Sequence, residues 1–67
     1  VISLQISLKA ARVNAGFTQK EIAAKLHKSK DTIVNWEKGK TKIDGANFEA
    51  LCRMYNISKD NIFLHYE

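Results

Sequence analysis

TQKEIAAKLHKSKDTIVNWEKG, residues 18–39, reads as two short helices joined by a tight turn. Thr18 is an N-cap by type, and Glu21 three residues on completes a capping box ahead of an apolar face. Ile22, Ala23 and Leu26 share one side of a helix about two turns long. His27-Lys28 interrupts that pattern, and Ser29 supplies a second N-cap. In the helix that follows, Ile33 and Trp36 face inward, while Lys30, Asp31, Val34 and Asn35 are left largely outward. Gly39 ends it, as glycine does one position past a helix. A small Ala23 opposite a β-branched Ile33 lets the two helices cross closely at a steep angle, as in a helix-turn-helix.

Outward from this segment the chain is short and uniform. Its 67 residues allow one domain over 1–67 with a modest core. No linker, internal repeat or low-complexity stretch divides it. Ser7 precedes the helix formers Leu8-Lys9-Ala10-Ala11-Arg12 and is expected to cap a first helix running to about Ala15, with Gly16 as its stop. Over residues 1–7 apolar Ile2, Leu4 and Ile6 alternate with polar Ser3, Gln5 and Ser7, so an extended arm over 1–6 competes with a fraying first helix starting near Leu4; the arm is favoured, and it can pair with Ile62–Tyr66. Beyond the loop Lys40–Ile43, Asp44 caps a helix whose stripe is Phe48, Leu51, Cys52 and Tyr55. Asn56-Ile57 ends that helix, Ser58 caps a last short one, and Ile62 and Phe63 are expected back in the core.

Charge and cysteine content narrow the function classes. Net charge is +4, and Lys25, Lys28, Lys30, Lys38, Lys40 and Lys42 crowd into the turn, the second helix of the motif and the loop after it. A basic strip over one element suggests a polyanionic partner, although a lysine face can also serve solubility alone. No apolar run approaches membrane-spanning length, so no membrane partner is expected. The single cysteine, Cys52, cannot close an internal disulfide, which fits a cytoplasmic setting. No enzyme, cofactor or metal is indicated. His27, His65 and Cys52 lack a zinc spacing, no glycine-rich phosphate loop is present, and nothing points to a small-molecule substrate.

Gly16-Phe17-Thr18-Gln19, Ile22-Ala23, Ser29, Thr32-Ile33 and Trp36-Glu37-Lys38-Gly39-Lys40 together resemble the phage-repressor-type (Cro/repressor-like, xenobiotic-response-element) helix-turn-helix family. The resemblance spans about residues 4 to 63. It implies an all-α fold, a compact lambda-repressor-like bundle of about five short helices, that binds double-stranded operator DNA, usually as a homodimer. It also implies that Arg12, at the edge of the first helix's Leu8, Ala11 and Ala15 stripe, pairs with Glu37. The competing reading leaves Arg12 exposed to touch phosphate. The turn departs from the family pattern, with His27 where glycine is usual and Lys28 where a small apolar residue plugs the core. The proline usual near Ile43 is also missing.

Specific DNA binding needs phosphate contacts that set register and side chains that read base edges. In this motif the second helix, here 29–38, enters the major groove by its first turn. Ser29, Lys30, Asp31, Val34 and Asn35 are therefore the base-reading candidates. Lys30 suits guanine O6/N7, Asn35 adenine N6/N7, and Val34 a thymine methyl. Asp31 suits cytosine N4, or serves only the helix dipole. Thr18, Gln19, Lys38, Lys40, Lys42 and Asn47 are the phosphate candidates. Gln19 sits beside the free N–H groups of a helix N-terminus, where the resemblance also places a phosphate-contacting glutamine. Two function classes follow: a sequence-specific transcriptional repressor, or a protein–protein module such as an antirepressor or antitoxin partner on the same fold. The outward Lys30, Val34 and Asn35 favour the first.

Overall fold

The computed structural model describes residues 4–66, so residues 1–3 of the expected arm lie outside the described residues. The elements run β1 (Ile6–Ser7), α1 (Leu8–Asn14), α2 (Gln19–Leu26), α3 (Lys30–Lys38), α4 (Gly45–Met54), a 3₁₀ turn (Lys59–Asn61) and β2 (Ile62–Phe63). The fold is thus four short α-helices and one 3₁₀ turn, where the sequence suggested about five helices.

Each helix starts on a side-chain cap, because the first N–H groups of a helix have no partner within it. Ser7 Oγ accepts from the Ala10 amide at 3.0 Å. Thr18 Oγ1 accepts from the Glu21 amide at 3.1 Å, and Glu21 Oε1 accepts from the Thr18 amide at 2.9 Å. That reciprocal bond holds the exposed Glu21 carboxyl below its ordinary pKa. Ser29 caps α3, Asp44 caps α4, and Ser58 caps the 3₁₀ turn.

The helices also end alike. Gly16, His27, Gly39 and Asn56 all take positive φ, at 84°, 56°, 78° and 53°. After each, the chain folds back so that two amides reach the last turn. Phe17 N–H bonds Arg12 O and Gly16 N–H bonds Val13 O; Lys28 reaches Ala23 O and His27 reaches Ala24 O. Lys40 and Ile57 close on Asn35 O and Cys52 O in the same way. These are Schellman closures, and they satisfy carbonyls that a bare helix end leaves orphaned.

The core is built where the helices meet. Ile22, Ile33 and Leu51 are fully buried, and Leu8, Ala11, Ala23, Trp36, Ile43, Cys52, Tyr55 and Ile62 surround them. Phe48 and Leu26 pack against this cluster half-buried. β1 and β2 meet in a short parallel ladder, with Ile6 beside Ile62 and Ser7 beside Phe63. Gln5 Nε2 adds a bond to Asp60 O at 3.1 Å. This ladder corrects one expectation. Ile62 is buried, but Phe63 is 43% exposed, because successive side chains of an extended segment point to opposite faces.

Candidate nucleic-acid interface

α3 is fixed from within and open from without. Ile33 and Trp36 anchor its inner face. Lys30, Val34 and Lys38 recur at i, i+4 and i+8, and Asp31 and Asn35 at i and i+4, so they share the opposite side. Lys30, Asp31 and Lys38 are exposed, whereas Val34 and Asn35 are half-buried. Ser29 is held to the cap: its Oγ accepts from the Thr32 amide at 3.2 Å and lies 2.9 Å from Thr32 Oγ1. A hydroxyl has one donor and two acceptor positions, so this cap leaves Ser29 limited capacity for a base.

The phosphate candidates divide by what already occupies them. Lys38 and Lys40 are exposed. The described residues contain two ion pairs, Arg12–Glu37 and Arg53–Glu49, and neither involves these lysines. Lys42 is exposed too, with its Nζ 5.7 Å from the centroid of the Tyr66 ring. Thr18 has its hydroxyl in the capping box. Asn47 Nδ2 donates to Asp44 Oδ1 at 2.6 Å. Chiefly through that bond the Asp44 carboxyl is held below its ordinary pKa, which sets an anion beside Asn47.

Gln19 belongs to a network that locks the motif to α1. Arg12 Nε donates to Glu37 Oε2 at 2.7 Å, its Nη1 donates to Phe17 O at 2.8 Å, and its Nη2 lies 3.4 Å from Glu37 Oε1. The two side chains are 9% and 4% exposed. Gln19 Nε2 donates to Glu37 Oε1 at 2.9 Å. A carboxylate only accepts, so the amide nitrogen must face it. Four pieces of chain therefore converge on the Arg12–Glu37 ion pair: α1 and the end of α3 supply it, the first residue of α2 donates to its carboxylate, and the α1–α2 loop accepts from its guanidinium. The Gln19–Glu37 bond has no local signature, since the residues lie 18 positions apart. Tyr55, beside this network, carries a buried hydroxyl with no hydrogen-bond partner among the described residues. Burial, with the Glu37 charge added, pushes its phenol far above the ordinary value.

The described residues contain no group of three or more His, Cys, Asp or Glu side chains that could hold a metal ion, and no helix long and apolar enough to cross a membrane. Cys52 is buried, which raises its thiol pKa above the ordinary value. A shallow concavity between α4 and the 3₁₀ turn, touching Cys52, Arg53, Ile57 and Lys59, includes none of the residues discussed for α3.

Two capped helices, α2 and α3, joined through the left-handed turn at His27 and packed on each other, define a helix-turn-helix protein. The helix-turn-helix family model matches residues 8–62, and the chain belongs to that family, in its phage-repressor type. Among characterised proteins it is similar to the HTH-type transcriptional regulator ImmR of Bacillus subtilis (strain 168), 39% identical over 59 residues. That alignment covers 88% of this chain and 46% of the relative, so the chain spans about half the length of the protein it matches. No solved structure matches it significantly.

Proposed function

We propose that the chain, residues 1–67 acting as one domain, is a sequence-specific double-stranded DNA-binding domain of a cytoplasmic transcriptional repressor, working as a homodimer on its operator. The observation that carries this reading is the outer face of α3. Its first turn is exposed and capped, its inner face is anchored by Ile33 and Trp36, and Lys38 and Lys40 at its far end carry no ion pair among the described residues. The relative is a transcriptional regulator by name, which supports the same assignment. In this reading Lys30, Asp31, Val34 and Asn35 meet base edges in the major groove, with Ser29 at the helix entrance. Lys38, Lys40 and Lys42 hold phosphate, helped by Thr18 and by the second amide N–H groups of Gln19 and Asn47.

Reading and positioning fail differently, and that difference tests the assignment. DNA selected from a random pool should yield inverted half-sites about one helical turn apart, near 34 Å between centres. On the best site Asn35→Ala should cost about 1–3 kcal/mol, and much less on sites altered at the base pair it reads. Lys42→Ala should weaken all sequences about equally. Uniform loss for Asn35→Ala across a panel of single-base changes would remove α3 from the groove. Failure to select any duplex would favour a protein-binding role for the same face.

A further inference from the structure

The segment after β2 is placed at the C-terminal end of α3 by three separate observations. Its root is fixed, because β2 pairs with β1. Its backbone then packs on Gly39: this glycine is buried at φ 78°, and a Cβ there would collide with the His65 carbonyl and lie 3.1 Å from Tyr66 Cα. Finally, the Tyr66 ring, 46% exposed, sits under the Lys42 ammonium. A segment far along the sequence thus touches both the stop of α3 and a lysine of the loop that follows.

We propose that Tyr66 is a positioning residue of the DNA interface: the tail Leu64–Tyr66, seated on Gly39, presents its ring to Lys42 and holds that ammonium toward the phosphate backbone flanking the α3 site. The proposal rests on the DNA-binding reading above. An aromatic face attracts a cation through its quadrupole and leaves the charge intact. One side of an ammonium on the ring leaves its remaining N–H donors free for a phosphate oxygen. Lysine otherwise offers a point charge on a flexible four-carbon stem, and ordering that stem opposes binding. A ring that confines it beforehand lowers the ordering cost, which is preorganisation. Gly39 is part of the device, since any side chain there displaces the tail that carries the ring.

The test is a double-mutant cycle on duplex affinity, using the selected operator and an unrelated duplex at fixed salt. Tyr66→Ala should weaken binding to both by about 2- to 5-fold, the equivalent of an exposed cation–π contact. Tyr66→Phe, which keeps the ring and loses the hydroxyl, should recover most of that loss. In a Lys42→Ala background Tyr66→Ala should change affinity no further. Thermal melts of every variant separate this from unfolding, because a loss that tracks melting in both backgrounds marks a purely structural tail and overturns the proposal. Unchanged or tighter binding by Tyr66→Ala also overturns it, as does additivity of the two substitutions. If the unsubstituted chain binds with its Asn35 dependence intact and only the coupling is missing, this inference alone falls. If the unsubstituted chain binds no duplex, the DNA reading falls with it.

Discussion

Tyr55 is the residue whose burial and chemistry disagree. Its ring fills the core beside Phe17, with centroids 6.2 Å apart, yet its hydroxyl meets no partner among the described residues. A buried polar group without a hydrogen bond costs free energy, whereas an apolar replacement of the same shape is nearly neutral or better. Tyr55→Phe should therefore leave stability at neutral pH unchanged or raise it by up to about 1 kcal/mol. The alkaline limb carries the sharper signature. The phenol's pKa is raised in the folded state, so below about pH 10 both states keep the proton and stability is undiminished. Above that, the unfolded chain loses its proton first, and stability falls by up to about 1.4 kcal/mol per pH unit. Urea midpoints for parent and Tyr55→Phe should separate in favour of the variant as pH passes about 10. A variant clearly weaker at neutral pH would mean that the hydroxyl has a partner.

At the scale of elements, the helix-turn-helix is held by its ends, and the two kinds of end were unequally legible. The caps at Ser7, Thr18, Ser29, Asp44 and Ser58 could be read directly, because a short polar side chain and the amide it satisfies lie within three residues. The stops at Gly16 and Gly39 were as plain, since glycine enters the left-handed region without penalty. His27 and Asn56 occupy the same conformation without glycine's freedom; the stop at Asn56 and the histidine standing where glycine is usual pointed to both positions, but residue type alone does not fix the sign of φ there. The placements that shape the candidate site were the least legible. Gln19 on Glu37, Phe63 turned outward and Lys42 on Tyr66 each depend on segments that meet only after folding. His27 carries the testable consequence. A non-glycine residue at φ 56° is strained by roughly 1–2 kcal/mol, partly offset by the entropy that glycine adds to the unfolded chain. His27→Gly should stabilise by about 0.5–1 kcal/mol in denaturant titrations. A loss of stability instead would show that the imidazole makes a contact worth more than the strain.

For the whole molecule, the relevant field is that of a chain with net charge +4 and its lysines gathered around α3 and the following loop. Under the proposed function, duplex affinity should drop by at least about tenfold between roughly 50 and 200 mM salt, through release of condensed counterions. Binding that ignores salt would contradict the role given to Lys38, Lys40 and Lys42. The pairing of β1 with β2 has a kinetic meaning as well. Gln5 and Asp60 meet across 55 positions of sequence, and contacts of such separation pay the loop-closure entropy of nearly the whole chain. The α2–α3 hairpin needs no such closure. Loop-closure entropy therefore favours an order in which α3 docks on α2 before the β1–β2 ladder pairs. On that order the Lys42–Tyr66 contact is a late one, and α3 is exposed before the segment after β2 reaches it.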